Sequence, residues 1–429
     1  MTSPARRLAL RVLLESDAGG ASLGDLLATA APEALSRRDR ALLHELVLGT
    51  LRRRGATDTA LARVVVDRPL QSLDRLVLAA LRLGAHQLLW MRVPAHAAVS
   101  ETVELLRDAR SRGGGLANAA LRRLAREGAP AFPDPRHDPL GWLVSEGSLP
   151  HWLAARWLRD LGPEAAVARG RAFLELPPAS FRVNPRRPDA QARIAEAGLA
   201  PKPLPVPGAW QATAGTAAEL AAEGVLYLQD AGSQLAAQLA ARPGLVLDAC
   251  AAPGGKSLLL SDLAGGAGRV VAADASLRRL RALAGLAGRW GAPLLCLAAD
   301  ALRPPFRTRF DSVLLDAPCS GLGTLSRRPD IRWRVKQPEI ARQAARQARL
   351  LESLSSLVKP GGRLVYSVCS PEPEEGAQRV EAFLAQSRAF RRAPLPAWAE
   401  PFRGPDGFLR TGPETGGGDA FFVAPLDRD

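Results

Sequence analysis

The sequence predicts a multidomain protein: an all-α bundle over 1–130, a small α+β module over 145–225 and an α/β, Rossmann-like domain over 226–429. Three observations carry this prediction. Apolar residues recur three and four apart through the first 130 residues, short apolar runs alternate with helix-length stretches after about Gly244, and prolines cluster between the two regimes.

From Pro4 to about Glu127 the pattern is helical. Apolar positions run through Leu8, Ala9, Leu10, Val12, Leu13 and Leu14, then Leu42, Leu43, Leu46 and Val47, Leu76, Val77, Leu78 and Leu81, and Leu88, Leu89 and Trp90. This is the stripe a buried helical face requires, so a bundle is expected; periodicity alone gives it no function. Pro130-Ala131-Phe132-Pro133-Asp134-Pro135 reads as a linker because proline fixes the backbone and breaks helices. The next stretch mixes a helix around Trp152, Trp157 and Leu161 with extended pieces such as Ser180-Phe181-Arg182-Val183-Asn184-Pro185. Strand candidates follow at Leu245–Leu247, Val270–Ala272, Leu294–Leu297, Ser312–Leu315, Arg363–Tyr366 and Phe421–Ala424. Continuous apolar strands indicate a largely parallel sheet covered on both faces, with its ligand at the carboxyl ends.

Composition narrows the function class. A chain of 429 residues, 47% hydrophobic and 23% charged, can build ordinary globular cores. It has no run of about 20 apolar residues, and Met1-Thr2-Ser3-Pro4-Ala5-Arg6-Arg7 is followed by no uninterrupted apolar stretch of the signal-peptide kind. A cytoplasmic protein with reduced thiols is expected. Four cysteines are too sparse for a disulfide framework, and His44, His86, His96, His137 and His151 form no ligand pattern with them, so no metal site is expected. The net charge is +14, with 20 basic and 13 acidic side chains in residues 1–130. Such an excess favours a polyanion such as nucleic acid.

After the first strand candidate comes Asp248-Ala249-Cys250-Ala251-Ala252-Pro253-Gly254-Gly255-Lys256-Ser257, leading into Leu258-Leu259-Leu260. Small residues there let backbone amides approach a ligand at a helix N-terminus, although a tight strand-to-helix turn is an equal reading of the loop alone. The loop is no Walker A motif, since Cys250 stands where that pattern needs its first glycine, and it is not Gly-x-Gly-x-x-Gly. Acidic residues then recur at strand ends: Asp274, Asp300 and Asp316. A carboxylate ending the second strand can hold ribose hydroxyls of a nucleoside cofactor. Cys319, in Asp316-Ala317-Pro318-Cys319-Ser320-Gly321, and Cys369, in Tyr366-Ser367-Val368-Cys369-Ser370, sit in the turns where sites are carried. Cys250 and Cys296, in the loop and in a strand, are not expected to be catalytic.

These motifs, with Pro329-Asp330-Ile331-Arg332-Trp333, resemble those of S-adenosylmethionine-dependent RNA cytosine-5 methyltransferases, most closely the bacterial RsmB (Sun/Fmu) group of the RsmB/NOP family. That group carries an N-terminal domain resembling the antitermination factor NusB, to which Pro94–Glu104 and Leu116–Arg122 are similar. The resemblance implies a class I methyltransferase domain acting on C5 of a cytidine in 16S ribosomal RNA, with S-adenosyl-L-methionine as cofactor. It assigns Cys369 to covalent attack at C6, Asp316 to the base near N3, and Cys319 to loss of the C5 proton and release. It assigns Cys250, Ala251, Ala252, Pro253, Gly254, Gly255 and Lys256 to the cofactor loop, Asp274 to the ribose, Asp300 to the adenine side, and Asp316 to the border of cofactor and base. Two departures surround Cys369: Val368 stands where the family usually has Thr, and Gly376 where Asn is common.

RNA contact is expected along Arg327, Arg328, Arg332, Arg334, Lys336, Arg342, Arg346 and Arg349, with Trp333 either stacking on a base or packing, and Arg182 and Asn184 as weaker candidates. The target cytosine must be unstacked to expose C6. The expected partner is 16S ribosomal RNA, naked or in a partly assembled small subunit, met by a monomer without membrane or metal. Transfer RNA as substrate, or a non-catalytic RNA-binding assembly factor, are the alternatives.

Overall fold

Side-chain caps start several helices of the first compact unit, which comprises Met1–Leu176 together with Leu325–Val335. Its helices are α1 (Pro4–Ala18), α2 (Leu23–Ala30), α3 (Arg37–Arg52), α4 (Arg54–Val64), α5 (Arg75–Trp90), α6 (Ala95–Asp108), α7 (Gly114–Glu127), α8 (Pro139–Val144), α9 (His151–Leu161) and α10 (Pro163–Leu174). Ser36 Oγ accepts the Asp39 N–H at 3.0 Å ahead of α3, and Asp74 Oδ1 accepts the Leu76 N–H at 3.0 Å ahead of α5. Each satisfies an amide that a helix start leaves unpaired. The stripes then close on one core that includes Leu10, Val12, Leu43, Leu46, Val47, Leu81, Leu83 and Leu121. Full burial of each such side chain is worth roughly 1.5–3 kcal/mol. The structure, a computed structural model, describes residues 3–30, 35–213, 217–264, 268–413 and 418–429, so Met1 and Thr2 lie outside the described residues.

Residues 145–225 divide at Leu176 between the two units. Helices α8 to α10 stay with the first, where Trp157 stacks on Phe173 with centroids 5.7 Å apart. The second unit, Pro177–Thr324 and Lys336–Asp429, opens with β1 (Ser180–Val183), α11 (Ala190–Glu196), β2 (Pro201–Pro203), β3 (Trp210–Ala212), α12 (Ala217–Ala222) and β4 (Leu226–Leu228). The strands form a small antiparallel sheet in the order β2-β3-β1-β4.

The rest of the second unit is α13 (Ala231–Ala240), β5 (Leu245–Asp248), α14 (Gly255–Ala264), β6 (Arg269–Asp274), α15 (Leu277–Trp290), β7 (Leu294–Ala298) and β8 (Phe310–Asp316). The chain next contributes Leu325–Val335, with the short helix α16 (Ile331–Arg334), to the first unit, and returns for α17 (Gln337–Ser355), β9 (Val358–Val368), α18 (Ala377–Gln386), β10 (Phe390–Arg392), β11 (Leu409–Thr411) and β12 (Phe421–Arg428). The large sheet runs β10-β12-β9-β8-β5-β6-β7, with β11 beside β12. Strands β5 to β9 are parallel, and β10, β11 and β12 add antiparallel pairings at one end. This is the expected Rossmann-like α/β architecture.

Side chains alternate across the sheet. Leu247, Val313, Leu315, Leu364 and Tyr366 meet Leu350, Leu351 and Leu354 of α17. On the other face Val246, Leu314, Val365 and Val423 meet Leu235, Ala236 and Leu239 of α13. The edge strand departs from burial on both faces: Leu295 of β7 is 56% exposed, because the connection from β7 to β8 forms no covering helix. Between β5 and its neighbours β6 and β8 the strand order reverses, and in such sheets the crevice at that reversal takes the ligand.

Candidate active site

Asp248 ends β5 at the floor of this crevice. Its Oδ2 accepts the Ser257 hydroxyl at 2.7 Å, while its buried Oδ1 has no partner. Burial pushes the carboxyl up to about 7. Residues Cys250 to Gly254 then turn into the N-terminus of α14, and Gly254 has φ of +119°, a backbone region open to glycine. Burial and the nearby Asp248 push the Cys250 thiol up to about 12, so it stays protonated. Asp274, ending β6, reaches back to this loop: its Oδ2 accepts the Ala252 N–H at 3.2 Å, and its Oδ1 accepts Ser276 N–H at 2.8 Å and Arg279 at 3.0 Å. Asp300 lies exposed beyond β7 and caps its own turn through the Leu302 N–H at 2.9 Å.

Lys256, in the first turn of α14, points its Nζ at Asp316 Oδ2, 2.6 Å away, and lies 5.4 Å from the Phe421 ring centroid. Burial opposes its charge, but the Asp316 carboxylate outweighs burial and raises the lysine. Ser367 donates its hydroxyl to Asp316 Oδ1 at 2.7 Å.

Asp316 pairs with Ser367 in the parallel register of β8 and β9. The two exits therefore lie side by side, and the turns beyond them bring Cys319 Sγ and Cys369 Sγ to 3.3 Å. The Ala317 N–H donates to the Ser367 carbonyl at 2.8 Å and the Gly323 N–H to the Cys369 carbonyl at 3.0 Å, so each loop is fastened to the other. Gly323 has no room for a side chain, since a Cβ would lie 2.0 Å from the Ala420 carbonyl oxygen. The adjoining Cys369 sulfur and burial hold the Cys319 thiol well above its ordinary value. Either sulfur of this pair can donate to the other.

The 16S rRNA methyltransferase RsmB/F family model matches residues 236–427, and the NusB family model matches residues 3–126. The chain is similar to ribosomal RNA small subunit methyltransferase B of Pseudomonas putida, with 35% identity and 98% of each chain covered. It is 36% identical to the protein of the same name in Xanthomonas campestris, covering 91% of this chain and 90% of that one. The chain belongs to the RsmB family. Among solved structures, PH0851 superposes with a TM-score of 0.79 at 25% identity over 100% of this chain and 99% of that one. A methyltransferase homologue from Pyrococcus horikoshii gives 0.59 at 28% identity over 68% and 99%.

As an RsmB-family protein the chain is a class I, S-adenosylmethionine-dependent RNA methyltransferase with an N-terminal NusB domain. The crevice fits that cofactor: an orphaned buried oxygen on Asp248, loop amides at the start of α14 and a carboxylate ending β6 surround it. Among the described residues no three His, Cys, Asp or Glu side chains form a metal cluster, and no helix is long and apolar enough to cross a membrane.

The arginine run of this RsmB-family chain does not form one surface. Arg332 is fully buried within the first unit. Its guanidinium donates to the Phe173 carbonyl at 2.6 Å and to the Gly147 and Ser148 carbonyls at 3.3 Å each, and burial lowers it to about 9. Trp333 packs on the same core and donates Nε1–H to the Leu51 carbonyl at 2.8 Å, with Arg54 over its ring. Arg328 and Arg334 both pair with Asp330. Arg342, Arg346 and Arg349 are exposed along one side of α17. Arg182 and Asn184 are not a surface either. Arg182 lies between the Tyr227 and Trp290 rings, paired with Asp262, and Asn184 Nδ2 donates to the Gly224 carbonyl at 2.9 Å. Both are carbonyl and ring clamps inside the second unit.

Two polar residues of the crevice escaped the sequence reading. Asp248 opens the series of strand-end acids that was followed only from Asp274 onward. Glu375, inside the acidic run Pro371–Glu375, is completely buried between the two cysteine loops, and no local pattern in the sequence marks it.

Proposed function

We propose that this RsmB-family enzyme methylates C5 of a cytidine in 16S ribosomal RNA through a transient bond between Cys369 and C6. The observation that carries this reading is the pair of thiols at 3.3 Å beside the Asp316 carboxyl. Cytosine C5 is a poor nucleophile, and addition of a thiolate at C6 makes it electron-rich. S-adenosylmethionine supplies an electrophilic methyl group when bound. The attack is assigned to Cys369, whose Sγ has the Cys319 sulfur 3.3 Å away. Asp316, taking a proton relayed from Lys256 Nζ, hydrogen-bonds N3 and offsets charge that develops on the ring as the S–C6 bond forms.

Cys319 is released from its restraint by the same event. Once the Cys369 sulfur is bonded to carbon it is neither an anion nor a strong acceptor, so the chief cause holding Cys319 protonated is gone. Cys319 gives its proton to solvent and as a thiolate takes the C5 proton; the S–C6 bond breaks with its electron pair leaving on the Cys369 sulfur, N3 returns its proton to Asp316, and the aromatic ring is restored.

The remaining assignments follow this chemistry. Cys250 to Lys256, Asp274 and Asp300 surround the cofactor, and the exposed Arg342, Arg346 and Arg349 face the RNA backbone. The helical domain over 1–130 binds RNA and the domain over 226–429 carries the chemistry, in a cytoplasmic monomer. Labelled S-adenosylmethionine and under-methylated 16S rRNA test the reading. Cys369→Ala should abolish transfer, and Cys319→Ala should accumulate a covalent protein–RNA complex; full methylation by Cys369→Ala would remove the nucleophile assignment.

A further inference from the structure

One carboxylate joins the two cysteine loops. Glu375 is 0% exposed and precedes α18. Its Oε1 accepts the Ser320 N–H at 2.8 Å and the Gln347 Nε2–H at 3.2 Å; its Oε2 accepts the Ser320 hydroxyl at 2.5 Å and the Ser370 hydroxyl at 2.6 Å. Ser320 directly follows Cys319, and Ser370 directly follows Cys369. Gln347 also donates to the carbonyl of Pro318, which precedes Cys319, at 2.9 Å. Tyr366, near the end of β9, donates its hydroxyl to the Glu375 carbonyl at 2.6 Å and so fastens the glutamate's own backbone.

We propose that Glu375 is a positioning residue that sets the separation and aim of the two thiols by holding Ser320 and Ser370 on one carboxylate; this rests on the two-thiol reading above. An ionised carboxylate offers about four lone-pair sites, and all four here meet donors, two of them serine hydroxyls of opposite loops. Charge-assisted bonds of this kind are shorter and stronger than neutral ones. Glutamine in its place would present a donor where a hydroxyl or an amide already donates. The burial that makes such a mismatch costly also removes water as a substitute partner. The two hydroxyls meet on Oε2 with their oxygens 3.2 Å apart, yet each belongs to its own cysteine loop, so their effects should differ: Ser370 aims the attacking sulfur, and Ser320 aims the releasing one.

A displacement of about 1 Å at a reacting atom can cost roughly a hundredfold in rate, so each arm should be visible in kinetics. The full-length protein is mixed with S-adenosylmethionine and 16S rRNA transcribed either with cytidine or with 5-fluorocytidine, whose fluorine blocks the release step. Ser370→Ala should form the covalent complex on fluorinated RNA at least about tenfold more slowly than wild type, without a matching change in KM for either substrate. Ser320→Ala should form it at the wild-type rate, yet accumulate it on ordinary RNA. Glu375→Gln should show both defects. Equal losses in both steps for Ser320→Ala and Ser370→Ala, or wild-type rates in both, overturn the proposal, and the two serine variants decide it even if Glu375→Gln does not fold. Failure of the wild-type protein to trap fluorinated RNA would instead overturn the two-thiol reading itself.

Discussion

Lys256 Nζ lies 2.6 Å from Asp316 Oδ2, joining the loop after β5 to the end of β8 across the point where the strand order reverses. A lysine in the first turn of a helix is opposed by the helix dipole, so its place is supported by this carboxylate rather than by its own element.

Removing that lysine takes away the proton source proposed for N3. Lys256→Met is expected to lower kcat by roughly a hundredfold, the lower end of what a positioned acid supplies, and Lys256→Arg, which keeps the charge but cannot give up a proton, should not restore it. Initial rates at saturating RNA and cofactor measure this. A Lys256→Met enzyme with undiminished kcat would rule out the relay.

Asp248 makes stability depend on pH. Its folded value of about 7 stands above the ordinary 3.8, so between these values the folded state binds a proton that the unfolded state has released. Stability from this group is therefore full below about pH 4 and declines as pH rises through 7, by up to ~4 kcal/mol at 1.36 kcal/mol per pH unit. Asp248→Asn cannot titrate. Without cofactor, the melting temperature of this variant relative to wild type should climb from pH 5 to about pH 7 and level off above it, and a difference constant from pH 5 to pH 7 would contradict the assignment.

Arg332 should behave as a core residue. Its alanine variant leaves the Phe173, Gly147 and Ser148 carbonyls without their charged donor, and a loss of about 3 kcal/mol in unfolding free energy is expected. Chemical denaturation measures it. The salt dependence of RNA affinity should stay as in wild type.

Arg346 and Arg349 should show the reverse. Each alanine variant should fold as wild type does and lower the slope of log affinity against log salt by about 0.7, the value for one phosphate contact on a single strand. Titrations at several salt concentrations would separate this from a non-electrostatic loss; an unchanged slope in both would move the RNA path elsewhere.

Much of this was legible because strands announce themselves. All six apolar runs from Leu245 to Ala424 lie in the large sheet, and Asp316, Cys319 and Cys369 could be singled out since sites gather where parallel strands end. Arg182 and Arg332 were misread, and Trp333 took the packing alternative over the stacking one, for one physical reason. An arginine or tryptophan near a target-strand motif looks like a surface residue until its partners are known, and the carbonyls and rings that bury these three come from residues as distant as Leu51, Phe173 and Trp290. Glu375 was hidden likewise, because a run of prolines and glutamates reads as solvated and only the pairing of β8 with β9 brings two serines to one of its carboxylates.

The stretch from Leu325 to Val335 has a practical consequence. Its Leu325, Ile331 and Arg332 are buried as part of the first unit, although in sequence they fall within the span matched as methyltransferase. No single cut separates the halves of this protein. A fragment beginning at Pro177 would carry an orphaned apolar plug with an unpaired buried cation, and any scheme that swaps or trims the N-terminal half must carry this plug along or redesign it.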